Sequence, residues 1–77
     1  MNNKLYQLKE SLAELEHQQW MAWARDLLEK ENISNEIRDR WEVYFVPYAE
    51  LPEKIKERDR VYAQKSLDIM KKYTEIN

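Results

Sequence analysis

Glycine and cysteine are both absent from this 77-residue chain, and proline occurs only twice. Without glycine there is no Gly-rich loop to cradle a phosphate through backbone N–H groups. The glycine-containing two-residue turns that close tight β-hairpins are excluded as well. Without cysteine there is neither a disulfide framework nor a thiolate metal site, which fits an intracellular, cytoplasmic protein. The single histidine, His17, cannot hold zinc unless carboxylates complete the ligand set. Ser11, Ser34 and Ser66 are the only serines, and none sits in a nucleophile-elbow context. No His-Glu-x-x-His or Asp-rich calcium motif occurs. These absences predict a binding or interaction protein rather than an enzyme, with no cofactor and no metal. An excess of one charge is missing too. Thirteen basic residues face fifteen acidic ones, a net charge of −2. Non-specific nucleic-acid binding needs a basic surface, so nucleic acid is not expected as a partner. No signal peptide or long apolar run is present, so a soluble protein away from the membrane is expected.

What remains is rich in helix formers, and an all-α fold in one domain over residues 1–77 follows. A first long helix is expected over about 3–31. Asn32-Ile33-Ser34-Asn35 breaks it, with Ser34 or Asn35 as N-cap and Glu36 in the following turn. A short helix then runs over about 35–44. Val43-Tyr44-Phe45-Val46 is β-prone but has no partner strand, and Pro47 pushes Val46 out of the helical region. An extended Val46-Pro47-Tyr48 linker is therefore expected. Pro52 and Glu53 suit the first turn of a last helix over about 52–75.

The most informative stretch is Leu12–Trp23, LAELEHQQWMAW. At 100° per residue, Leu5, Leu8, Leu12, Leu15, Trp20, Trp23, Ala24 and Leu27 form one broad apolar arc. Glu16 projects inside that arc and His17 lies at its edge, three residues before Trp20. A carboxylate and an imidazole beside indoles suit a planar polar ligand, stacked on the rings and oriented by the polar pair. The same residues also suit a satisfied core, with Glu16 and His17 hydrogen-bonded across a helix packing. On the last helix, Ile55, Tyr62, Ile69 and Tyr73 share a face with Asp59 and Ser66, which makes Asp59 a second polar intruder. His17 is expected to pair with Glu16 or Asp59. Lys54, Lys56, Glu57, Arg58 and Arg60 point elsewhere and are expected to be solvated.

Two blocks of the chain resemble the ryanodine-receptor repeat, the RyR domain. The first is LAELEHQQW, through Leu12, Ala13, Glu14, His17 and Trp20. The second is FVPYAELPEKIKERDR, through Val46, Pro47, Tyr48, Leu51, Pro52, Lys56, Asp59 and Arg60. Between them the family carries a Gly-Trp…Tyr-Gly segment, where this chain has Arg40-Trp41-Glu42-Val43-Tyr44. The resemblance implies a mainly helical domain in a single free-standing copy of the bacterial or phage type. It also implies binding of a small, nucleotide-like ligand.

Two functions are therefore expected in competition. The first is capture and sequestration of a nucleotide-derived signalling molecule by Glu16, His17, Trp20, Tyr48 and Asp59. The alternative is a helical oligomerisation or adaptor module without a small ligand. A homodimer or higher homo-oligomer is expected in either case. A compact chain of this length has a diameter of about 30 Å, whereas a 29-residue helix is about 43 Å long. Helix ends carrying Leu5, Leu8, Ile69, Tyr73 and Ile76 must then project, and a second copy is the common way to cover them.

Overall fold

The structure, a computed structural model, describes residues 3–74. It is all-α: α1 (Asn3–Lys30), α2 (Asn35–Glu42) and α3 (Glu53–Thr74), with a 3₁₀ turn at Tyr48–Glu50 before α3. No strand occurs among the described residues. Ile76 and the expected helix end at residue 75 lie outside them.

Local chemistry sets the boundaries. The Ser34 hydroxyl caps α2 by accepting from the Ile37 N–H at 3.3 Å. The Arg38 guanidinium donates to the Leu28 carbonyl at 3.3 Å, satisfying one of the orphan acceptors at the end of α1. The helix α2 stops at Glu42, two residues earlier than expected. There the Tyr44 N–H bonds Trp41 O (2.9 Å) and the Phe45 N–H bonds Glu42 O (3.1 Å), tightening the last turn. Pro47 is extended (φ −56°, ψ 147°), as the sequence requires, but Tyr48 already opens the 3₁₀ turn rather than prolonging the linker. The Pro52 carbonyl accepts the first bonds of α3, from Ile55 at 2.9 Å and Lys56 at 3.0 Å.

The two long helices form an antiparallel hairpin. Glu10 of α1 meets Arg60 of α3, Leu5 shares a groove with Leu67, and Glu16 shares a cleft with Asp59. Their contact stripe is not the arc of large apolar residues. The buried residues are Ala13, His17 and Ala24 of α1 and Ala63 and Leu67 of α3, while Leu8, Leu15 and Trp23 stay 38%, 48% and 55% exposed. On both helices the buried stripe is turned by about one residue, roughly 100°, from the expected one. The reason is steric. The fully buried Ala13 and Ala63 belong to one core cluster with Tyr48 and Leu51, and small side chains let the backbones approach closely. Because the helices are antiparallel and both stripes turn in the same sense, Leu8, Leu15, Tyr62, Ile69 and Tyr73 fall on one side of the hairpin. That is the side on which α2 lies. The chain is long and thin, 50 × 23 × 14 Å, with a radius of gyration of 15.3 Å against about 11–12 Å for a compact chain of this length. No large side chain among the described residues is fully buried. No helix is long and apolar enough to cross a membrane among the described residues.

One polar cluster fixes the register of the hairpin. The Arg60 guanidinium binds the Glu10 carboxylate through two bonds, Nε to Oε2 at 2.7 Å and Nη2 to Oε1 at 3.1 Å. The Tyr48 hydroxyl donates to Glu10 Oε1 at 3.1 Å, and Arg60 Nη1 also reaches Glu53 at 2.9 Å and Glu57 at 3.3 Å. Arg60 and Lys56, expected to be solvated, are thus half-buried: their side chains are 16% and 17% exposed. The Arg60 hydrogen bonds hold the Glu10 carboxyl below its ordinary value of 4.5. Burial, helped by the Glu10 carboxylate, pushes the Tyr48 phenol up to about 12.

A carboxylate whose pKa is lower in the folded than in the unfolded state adds stability above its unfolded pKa, and that stability is lost as pH falls through the folded value. Glu10→Ala is expected to cost about 2 kcal/mol at neutral pH in urea denaturation, as removing one partner of a half-buried bidentate pair does. The loss should shrink in acid, as pH falls through the lowered pKa of Glu10 and the wild-type carboxyl itself becomes protonated. Tyr48→Phe should cost about 1 kcal/mol.

Candidate functional site

A cleft of about 590 Å³ lies between α1, α2 and the first turns of α3. Glu16, His17 and Trp20 enter from α1, and Ile55, Arg58, Asp59 and Tyr62 from α3. Arg40, Trp41 and Tyr44 close the third side, from α2 and the turn after it. The volume falls in the range of sites for one drug-sized ligand.

Trp20 is the centre of an aromatic wall. Its ring lies nearly parallel to the His17 imidazole, 6.0 Å away at 13°, and edge-on to Trp41 and Tyr44 at 6.1 and 6.5 Å. Phe45 packs behind it at 5.5 Å and Trp23 continues the cluster at 5.7 Å from Trp41. Edge-to-face pairs of this kind contribute about 0.5–1.5 kcal/mol each and hold α2 against α1. His17 is buried, and its Nε2 lies 2.8 Å from the Val46 carbonyl. A carbonyl only accepts, so Nε2 carries the proton and donates. The expected pairing of His17 with a carboxylate is therefore replaced by a bond to the Val46-Pro47 segment, whose backbone carbonyl would otherwise be unsatisfied.

Four of the five residues singled out in the sequence, Glu16, His17, Trp20 and Asp59, meet in this cleft. The fifth, Tyr48, does not line it. Its ring is buried beside Ala13, Leu51 and Ala63 and its hydroxyl is committed to Glu10, because the 3₁₀ turn directs it into the hairpin. Arg40, Trp41, Tyr44, Arg58 and Tyr62 join the site without having been singled out for it. Arg58 looked solvated because it lies off the apolar stripe of α3, and only the position of α2 gives it a cleft to face.

The arginines divide by whether they have a partner. Of the five arginines, Arg60 binds Glu10, Arg38 caps α1 and Arg25 lies over the Phe45 ring at 5.0 Å. Arg40 and Arg58 have no hydrogen-bond, ion-pair or ring partner among the described residues, and both line the cleft. Glu16 and Asp59 likewise accept no hydrogen bond among the described residues, and Asp59 Oδ2 is shielded from water without a partner. Burial pushes the Asp59 carboxyl above its ordinary value of 3.8; the charge of His17 opposes this and the charge of Glu16 adds to it. A planar wall, two unpaired cations and two unpaired anions in one cavity are what a ligand with an aromatic ring, an anionic group and N–H donors would satisfy. No cluster of three or more metal-ligating side chains occurs among the described residues.

No family model, curated protein or solved structure matches the chain.

A carboxyl whose pKa is raised by folding favours the fold in its protonated form, and that contribution is lost as pH rises through the folded value. At neutral pH the Asp59 carboxylate thus opposes folding. Asp59→Asn is expected to raise stability by up to about 1 kcal/mol at pH 7, a gain kept small because water screens a half-buried group. Chemical denaturation at pH 7 and again near pH 3 checks it; the gain should vanish at the lower pH. A loss of stability at pH 7 would mean that the carboxylate is satisfied in the fold.

Proposed function

We propose that the protein is a cytoplasmic binding protein that captures, and thereby sequesters, a small nucleotide-derived ligand in the cleft between α1, α2 and α3. The observation that carries this reading is the convergence of Arg40 and Arg58, the arginines without a partner among the described residues, on the Trp20–Trp41–Tyr44 wall. A guanidinium pair suits a phosphate by charge and by fork geometry. Stacking on an aromatic ring contributes about 1–3 kcal/mol per base. Together with a few charge-assisted hydrogen bonds, that supports micromolar binding. Nothing in the cleft is arranged as a nucleophile with its base, so the proposal is binding without chemistry. The RyR-repeat resemblance supports the same reading: His17 and Trp20 come from its first block and Asp59 from its second, and all three line the cleft.

A second reading, which is compatible with the first, is self-association. It is supported by the single-layer thickness of 14 Å and by the apolar strip of Leu8, Leu15, Ile69, Met70 and Tyr73, which are 38–73% exposed. The helix α2 covers one half of that side of the hairpin and leaves the other half open. A second copy related by a two-fold axis is the commonest way to cover such a strip.

Thermal-shift screening against nucleoside mono- and cyclic phosphates at about millimolar concentration tests binding; micromolar affinity should give a stabilisation of about 2–4 kcal/mol. Replacing both cleft arginines, Arg40→Gln with Arg58→Gln, should abolish the shift with little change in the melting temperature of the ligand-free protein. No shift with any phosphate would contradict the proposal. For self-association, light scattering after size exclusion should give twice the 9.5 kDa chain mass at tens of micromolar, and Leu8→Glu should return the monomer.

A further inference from the structure

The polar floor of the cleft says more than that a nucleotide is bound, although what it says rests on that reading. We infer that Glu16 and Asp59 read the Watson–Crick edge of guanine, so that the ligand is a guanine nucleotide. The two carboxylates come from different long helices, line the same cleft, and lie close enough for the charge of Glu16 to act on Asp59. Neither receives a hydrogen bond from any described residue. The one neighbouring imidazole cannot supply the donor from Nε2, because that N–H is given to Val46. The floor therefore presents acceptors and calls for donors.

Among the common bases, only guanine places two donors side by side on that edge, N1–H and the N2 amino group. Adenine and cytosine each set a ring-nitrogen lone pair beside their amino donor, and uracil flanks its single N–H with two carbonyls. An ionised carboxylate accepts a bidentate pair of donors from guanine and repels the lone pairs of the others. Asp59 Oδ2 lies beneath the surface of the ligand-free cleft. The terminal torsion of an aspartate is broad and roughly two-fold, so turning the carboxylate to a ligand costs little. The base then stacks against the Trp20–Trp41 side while its phosphate meets Arg40 and Arg58, so that all four unpaired charges of the cleft acquire partners.

The experiment is tryptophan-fluorescence titration of the full chain with the 5′-monophosphates of guanosine, inosine, adenosine and xanthosine. Guanosine monophosphate should bind at least about tenfold tighter than the inosine form, which lacks the amino group, and about a hundredfold tighter than the adenosine form. Asp59→Asn replaces one acceptor by an N–H donor. It should weaken the guanosine form at least about tenfold and favour the xanthosine form, which carries a carbonyl in place of the amino group. Circular dichroism of this variant verifies that the fold is kept, and Glu16→Gln gives an independent second variant with the same expected loss for guanosine. Equal affinity for adenosine and guanosine monophosphates, or an unchanged guanosine-to-xanthosine ratio in Asp59→Asn, overturns the assignment of the base and leaves nucleotide binding standing. Failure of all four to bind overturns both.

Discussion

The bidentate ion pair between Glu10 and Arg60, with Tyr48 as third partner, is the constraint on which the arrangement depends. Two helices that meet through alanines have little in their interface to fix their relative sliding. A charged pair with two defined bonds accepts one register only. Tyr48 joins the same carboxylate and thereby ties the loop between α2 and α3 to α1. With that register set, Asp59 stands opposite Glu16, and Val46 reaches the His17 imidazole. Thus the cleft is positioned by a cluster that does not line it.

Charge is spent differently on the two sides of that register. At Glu10 every donor and acceptor finds a partner, and folding lowers the carboxyl pKa. At Asp59, one position before Arg60, burial raises it and an oxygen is left without a partner. Neighbouring charged residues on one helix thus have opposite effects on stability. The half-buried, unsatisfied Asp59 carboxylate costs stability in the empty protein, and a donor placed against it would recover that loss.

Much of the fold was legible because its signals are local. The lack of glycine, Ser34 before Glu36, Pro47, and Pro52 before Glu53 act within one or two turns, and the helices begin and end within about two residues of where they point. The orientation of the helices was not legible. Leucines and tyrosines dominate any apolar pattern, whereas the core cluster between the helices is built on Ala13 and Ala63, whose weak hydrophobicity hides their close packing. Glu16, His17, Trp20 and Asp59 were readable as site candidates because each breaks or borders an apolar stripe. Tyr48 was misplaced because nothing in the sequence marks the 3₁₀ turn that directs it inward. Arg40 and Arg58 were not found at all: an arginine without a partner is a property of three-dimensional neighbours, and the sequence shows only another charge on a solvated helix.

The most direct test of the cleft as a binding site is the set of three indole N–H signals in the proton–nitrogen NMR spectrum, followed while guanosine monophosphate is added. Trp20 and Trp41 line the cleft, whereas Trp23 does not. The signals of Trp20 and Trp41 should shift saturably together, with the backbone amides of residues 55–62, while the amides of residues 5–9 and 64–71 stay in place. Saturable shifts confined to the 5–9 and 64–71 groove, or none at all, would contradict a ligand site built by α1, α2 and the first turns of α3.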